Sequence, residues 1–155
     1  MSLPEDLSRE ELETVQFERL TELVNGLVSG NSFWKERFAQ VGWRTSVDLV
    51  AGLNSLAELS QLPACDKRDF VADQDENQPY GTNLSESLAG YTRLHQTSGT
   101  TGRPLRWLDT PAAWANLLDA WSQIFRIAGV TPEDRFAFPF SFGPFIGFWA
   151  AFEGA

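Results

Sequence analysis

Apolar residues at Leu12, Val15, Leu20, Leu23, Val24 and Leu27 recur at the spacing of one helix face. Ser8 followed three residues later by Glu11 fits a capping box, so an amphipathic helix starts there and ends near Gly26 to Gly30. Asn31 and Ser32 can cap a second, shorter helix carrying Phe33, Trp34, Phe38 and Val41, with Gly42 as its stop. Residues 46–62 read as helix in pieces, interrupted at Gly52 and closed by Pro63, and Asp66 caps one more short helix through about Ala72. From Asp73 to Ser87 the chain is polar and turn-rich, with Pro79, Gly81 and Asn83. The boundary of a helical N-terminal region, residues 1–87, falls there.

The period then changes. YTRLHQT (91–97) alternates as a strand does, and LRWLD (105–109) supplies a hairpin partner, leaving SGTTGR (98–103) as the connecting loop. Thr110 as cap and Pro111 in the first turn open a helix whose stripe is Trp114, Leu117, Leu118, Trp121, Phe125 and Ala128, stopped by Gly129. The last segment, RFAFPFSFGPFIGFWAAFEGA (135–155), reads as a short strand, a turn at Ser141 to Pro144, and a helix from Phe145 onward. The class is therefore α/β: a helical region followed, over residues 88–155, by the first strands and helix of an α/β domain whose sheet is expected to be parallel and covered on both faces.

Composition narrows what such a chain can do. With 43% hydrophobic residues over 155 positions it can bury a core, and 21 acidic against 12 basic side chains give a net charge of -9. A broad electrostatic footprint for nucleic acid or an anionic membrane is excluded, so any phosphate must be held locally. The single cysteine, Cys65, forms no internal disulfide, and His95 has no Cys or His cluster around it, so no metal site is expected. The acidic N-terminus lacks a signal peptide's basic start and apolar run, which points to the cytoplasm. The uncharged run Phe136 to Phe152 has 17 residues, at the low edge of a spanning length, but Pro139, Gly143, Pro144 and Gly147 interrupt it.

The loop between the two strands carries the chemistry. Glycines let a backbone approach phosphate oxygens and reach φ > 0, so N–H groups converge, while Ser98, Thr100 and Thr101 add hydroxyls and Arg103 a full charge. The same composition also suits an ordinary hairpin loop. Walker A is excluded, because Pro104 stands five residues after Gly99 and no lysine follows Gly102; a Rossmann fingerprint is excluded because a strand, not a helix, comes next. His95, on the strand feeding the loop, is either a loop partner or simply a satisfied strand histidine, with no acid–base partner named by the sequence. Cys65 reads as a small buried residue rather than a nucleophile.

TSGTTGRP (97–104) resembles the phosphate-binding motif of the adenylate-forming superfamily, and LAELSQLPACDKRDF (56–70), His95 and IAGVTPEDRFAFPFSFGPFIG (127–147) narrow the likeness to the phenylacetate-CoA ligase family. The order and spacing of these segments agree along nearly the whole chain, over the first third of the family's length. The resemblance implies the opening of the large N-terminal domain of adenylate-forming enzymes, incomplete here. It also implies ATP with magnesium as adenylating reagents and coenzyme A as acyl acceptor. Ser98, Gly99, Thr100, Thr101 and Gly102 would embrace the β- and γ-phosphates, with Arg103 where the family usually has lysine. Phe140 and Phe145 would face an aromatic acyl group, in a stretch where Phe140 and Phe142 replace tyrosines, Ser141 and Phe148 replace glycines and Pro144 replaces leucine. These rings would equally fill a core.

The magnesium-binding acid and the C-terminal catalytic lysine lie in family segments beyond Ala155, so no catalytic residue is assigned and no turnover is expected from these residues alone. Two readings follow: the N-terminal part of an acyl-adenylate-forming CoA ligase for an aromatic or related acid, or a non-catalytic remnant or interaction module. In either, the apolar C-terminal end is expected to self-associate or to receive a completing chain.

Overall fold

The computed structural model describes residues 4–99, 102–141 and 143–155, in two compact units, Met1–Ser87 and Leu88–Ala155. In the first unit Ser8 starts α1 (Arg9–Gly30) with a full capping box: its Oγ accepts the Glu11 N–H at 3.3 Å and the Glu11 carboxylate accepts the Ser8 N–H at 2.9 Å. Val24 and Val28 are the buried positions of α1, whereas Leu23, one step around the helix, is 59% exposed and does not share their face. Asn31 ends α1 by donating its N–H to the Leu27 carbonyl at 3.1 Å and starts α2 (Ser32–Gln40) by accepting the Trp34 N–H on its side chain at 3.2 Å. Its Nδ2 donates to Asn83 Oδ1 and Ser85 Oγ at 3.0 and 3.1 Å, with 2% of the residue exposed. One amide thus joins two helices and the segment 83–85.

Gly42, at φ +88°, turns the chain after α2 into Trp43, and α3 (Ser46–Gly52) follows. The indole of Trp43 lies where a Cβ on Gly52 would be, 2.6 Å away, so only glycine lets the ring reach the core of Val24, Val28, Phe38 and Leu53. A short 3-10 helix (Leu56–Gln61) leads to α4 (Lys67–Glu76), capped by Asp66. α4 runs four residues beyond the expected end at Ala72, and Asp73, within that extension, anchors the following turn: its carboxylate accepts the Thr82 N–H and Oγ1–H at 2.8 and 2.7 Å.

In the second unit β1 (Arg93–Gln96) and β2 (Arg106–Asp109) pair antiparallel, Arg93 opposite Asp109 and Gln96 opposite Arg106. The hairpin is where the alternating pattern puts it, but the sheet among the described residues is two-stranded and antiparallel, not parallel. Thr110 caps α5 (Pro111–Ile127), accepting the Ala113 N–H at 3.1 Å. α6 (Ile146–Gly154) packs on α5 closely enough that a Cβ on Gly154 would lie 2.6 Å from Trp121 Cβ.

Residues 135–139 do not form the expected strand. Their alternation of phenylalanines serves ring packing instead: Phe136 lies 4.9 Å from Phe125 of α5, Phe138 5.8 Å from Phe136, and Phe152 of α6 5.6 Å from Phe138. Pro139 lacks the N–H a ladder would need. Among the described residues no helix is long and apolar enough to cross a membrane.

Candidate functional site

The loop joining β1 to β2 is fixed at its base. Thr97 donates its N–H to the Leu105 carbonyl and accepts the Leu105 N–H on Oγ1, both at 3.0 Å, with Leu105 buried beneath. Gly99 sits at φ +68°, and a Cβ there would come within 2.9 Å of Pro104 Cγ and 3.0 Å of the Gly102 carbonyl oxygen. Two independent demands therefore select glycine at 99: the left-handed backbone and the absence of room. Gly102, at φ +143°, closes the turn by donating its N–H to the Gly99 carbonyl at 3.0 Å, while among the described residues beyond its chain neighbours no atom stands within 4 Å of where its Cβ would be. What Gly102 offers a ligand is close approach rather than a hydrogen bond. Ser98, Gly102 and Arg103 are exposed at the tip, and Thr100 and Thr101 lie outside the described residues.

On the edge of β1 away from β2, Gln96 donates its N–H to the Pro144 carbonyl at 2.7 Å. That bond sets the aromatic segment beside the strand that feeds the loop. Phe140 stacks on Phe148 at 4.5 Å between ring centroids and 11° between planes, and Phe145 meets Phe148 edge-on at 6.0 Å and 76°. Trp149 Nε1–H holds the turn beneath them through the Gly143 carbonyl at 2.9 Å. Phe140 and Phe145 are thus brought to one ring, Phe148, and both stay partly exposed, at 52% and 38%. Phe142 lies outside the described residues.

Below the loop the structure assembles a polar cluster that the sequence pattern did not name. His95, 4% exposed, sets Nδ1 2.9 Å from Asp109 Oδ2 and stacks on Trp114 at 5.1 Å and 18°. Arg93 lays its guanidinium over the same indole, 4.2 Å from the ring centroid, and binds Glu153 through two parallel bonds of 2.7 Å. Glu153 also accepts the Trp114 Nε1–H at 2.9 Å. Burial works to raise the Glu153 carboxyl, but the Trp114 and Arg93 hydrogen bonds outweigh it, leaving its pKa below the ordinary glutamate range. One signal could have found the His95 partner: in a hairpin with 93 opposite 109, residues 95 and 109 share a face and sit diagonally. Cys65 is half-buried, and burial pushes its thiol pKa up, the opposite of an activated nucleophile.

Along 97% of its length the chain matches phenylacetate-coenzyme A ligases of Escherichia coli (strain K12), Pseudomonas putida and Aromatoleum evansii, at 26%, 29% and 28% identity. It is similar to the N-terminal part of the phenylacetate-coenzyme A ligase family. The chain spans 32% of the length of each of these curated relatives. Solved structures of a 2-hydroxyisobutyryl-CoA ligase agree in fold. An open conformation in complex with 2-HIB-AMP and CoA superposes with a TM-score of 0.82 at 21% identity, over 96% of this chain and 33% of that one. A thioesterification-state complex gives 0.83 at 23% identity, over 96% and 30%. No protein-family model matches the chain. The mostly helical architecture with one small sheet is therefore the fold of the N-terminal region of a CoA ligase.

Proposed function

We propose that the chain is the nucleotide- and acid-holding part of an acyl-adenylate-forming CoA ligase for an aromatic or related carboxylic acid. Ser98, Gly99, Thr100, Thr101, Gly102 and Arg103 hold the β- and γ-phosphates of ATP, and Phe140 and Phe145, seated on Phe148, wall the acyl group. The observation that carries this reading is the Gln96 N–H bond to the Pro144 carbonyl, which sets the loop's strand and the aromatic turn side by side, as an enzyme joining a phosphate to a carboxylate needs. Support at the loop comes from the room at Gly102 among the described residues and the exposed Ser98 and Arg103. Arg103 keeps the charge of the family's lysine but presents a planar fork, suited to two phosphate oxygens at once.

Magnesium accompanies ATP in this chemistry. Such magnesium is held largely by the phosphates themselves with one or two carboxylates, and the part proposed for this chain's residues is to grip phosphate and acid. The acyl group would pass to CoA, which the 2-hydroxyisobutyryl-CoA ligase structure holds together with 2-HIB-AMP. The lone thiol suits a reducing, cytoplasmic setting.

A second reading has its own support. Ile127, Phe136, Phe140, Ile146 and Phe152 are large apolar side chains left exposed on the second unit, a surface suited to a completing chain or a second copy. Titration calorimetry with ATP separates the two: the ligase reading expects binding that Arg103→Ala weakens about tenfold or more, the loss of one charge-assisted contact. Equal binding curves for wild type and variant, or none for either, would leave the interaction module standing.

A further inference from the structure

α6 is fastened to β1 at both of its ends. Its N-terminal end is held by the Gln96 N–H on the Pro144 carbonyl at 2.7 Å, and its last turn by the paired Arg93–Glu153 bonds. The four residues of β1, spanning about 10 Å in three steps of 3.3 Å, thus lie alongside the segment 144–153, most of it helix at 1.5 Å per residue. A single backbone bond would act as a hinge. The second clamp, stiffened by Trp114 donating to Glu153 and lying under Arg93, removes that rotation.

We infer that the Arg93–Glu153 pair is a positioning element that couples the acyl pocket to the phosphate loop, so that acid and nucleotide each tighten the binding of the other. The inference rests on the ligand assignments proposed above. An acid seated among the half-exposed rings of Phe140, Phe145 and Phe148 orders the start of α6. Through Pro144 it fixes Gln96, two residues before Ser98. With the far end of α6 held at Arg93, that order is passed to the strand instead of being lost in a pivot of the helix. The described flank of the loop, Thr97 to Gly99, is then held in place for the nucleotide in advance, which is positive coupling, and by linkage the effect runs equally in both directions.

The experiment is calorimetric titration of the chain with ATP, with and without saturating phenylacetic acid, and the reverse titration, each for wild type, Glu153→Gln and the charge exchange Arg93→Glu/Glu153→Arg. Wild type is expected to bind ATP about fivefold or more tightly when the acid is present, with the same factor in reverse. In E153Q the factor is expected to fall below about twofold while ATP affinity without acid changes less, and the exchange, which leaves the Trp114 Nε1–H without an acceptor and sets a carboxylate over the indole, is expected to stay below about twofold as well. A merely structural pair would alter both affinities and leave their ratio alone. Should E153Q fail to fold by circular dichroism, Arg93→Lys, which keeps the charge and loses the paired geometry, takes its place with the same expectation. A coupling factor unchanged in the variant, or absent from wild type that binds ATP normally, overturns the inference alone; wild type that binds no ATP overturns the functional proposal and this inference with it.

Discussion

Replacing Gly99 by alanine tests the loop at the atom where its geometry is most demanding. The backbone at φ +68° costs an L-residue about 1–2 kcal/mol. The new Cβ would also stand 2.9 Å from Pro104 Cγ and 3.0 Å from the Gly102 carbonyl oxygen. Neither neighbour is the free end of a flexible side chain, so relief requires the turn itself to shift. A total of about 2–3 kcal/mol is expected. Gly102→Ala provides the control, since φ +143° is also unfavourable but, among the described residues beyond its chain neighbours, nothing lies within 4 Å of its Cβ. Its cost is a backbone term alone, and at φ +143°, outside the left-handed well that Gly99 occupies, that term is the larger of the two. Urea denaturation followed by amide exchange in residues 93–97 and 105–109 reads the hairpin directly, and ATP calorimetry reads the site. Gly99→Ala as stable as wild type would refute the reasoning about room and backbone.

Two more outcomes are expected. Asn31→Ala removes a helix cap and two buried hydrogen bonds together, so urea denaturation of the first unit should show a loss of about 2–4 kcal/mol, and Asn31→Ser, which keeps a cap oxygen, should recover part of it. Glu153 has a pKa lowered by folding, so its contribution is in place above the ordinary glutamate range and is lost as pH falls through the folded value. Near-ultraviolet circular dichroism of the tryptophans should therefore show acid loosening, and E153Q should remove that part of the pH dependence; an unchanged profile would show that the pair does not set it.

Much of the fold could be read from the chain because its signals are local. The Ser8–Glu11 box, the Asn31 and Thr110 caps and the hairpin's alternation each act within a few residues. What could not be read is which polar groups meet across long separations. Periodicity marks a face as apolar or not, but nothing near Arg93 announces Glu153, 60 positions away. The strand expected at residues 135–139 shows the same limit from the other side. Phenylalanine at every second position fits a pleated surface, yet what decided its conformation was the set of rings on α5 and α6 waiting to receive Phe136 and Phe138. At the candidate site, glycine composition announced the loop's shape, whereas the inward turn of the Gly102 N–H depends on coordinates no pattern contains.

The double fastening of α6 also has a bearing on biosynthesis. A two-stranded hairpin by itself is marginal in water. Two of its anchors, Pro144 and Glu153, leave the ribosome dozens of residues after β1. Until α6 has been translated, the nascent hairpin therefore has only α5, through the stacking of His95 and Arg93 on Trp114, to steady it.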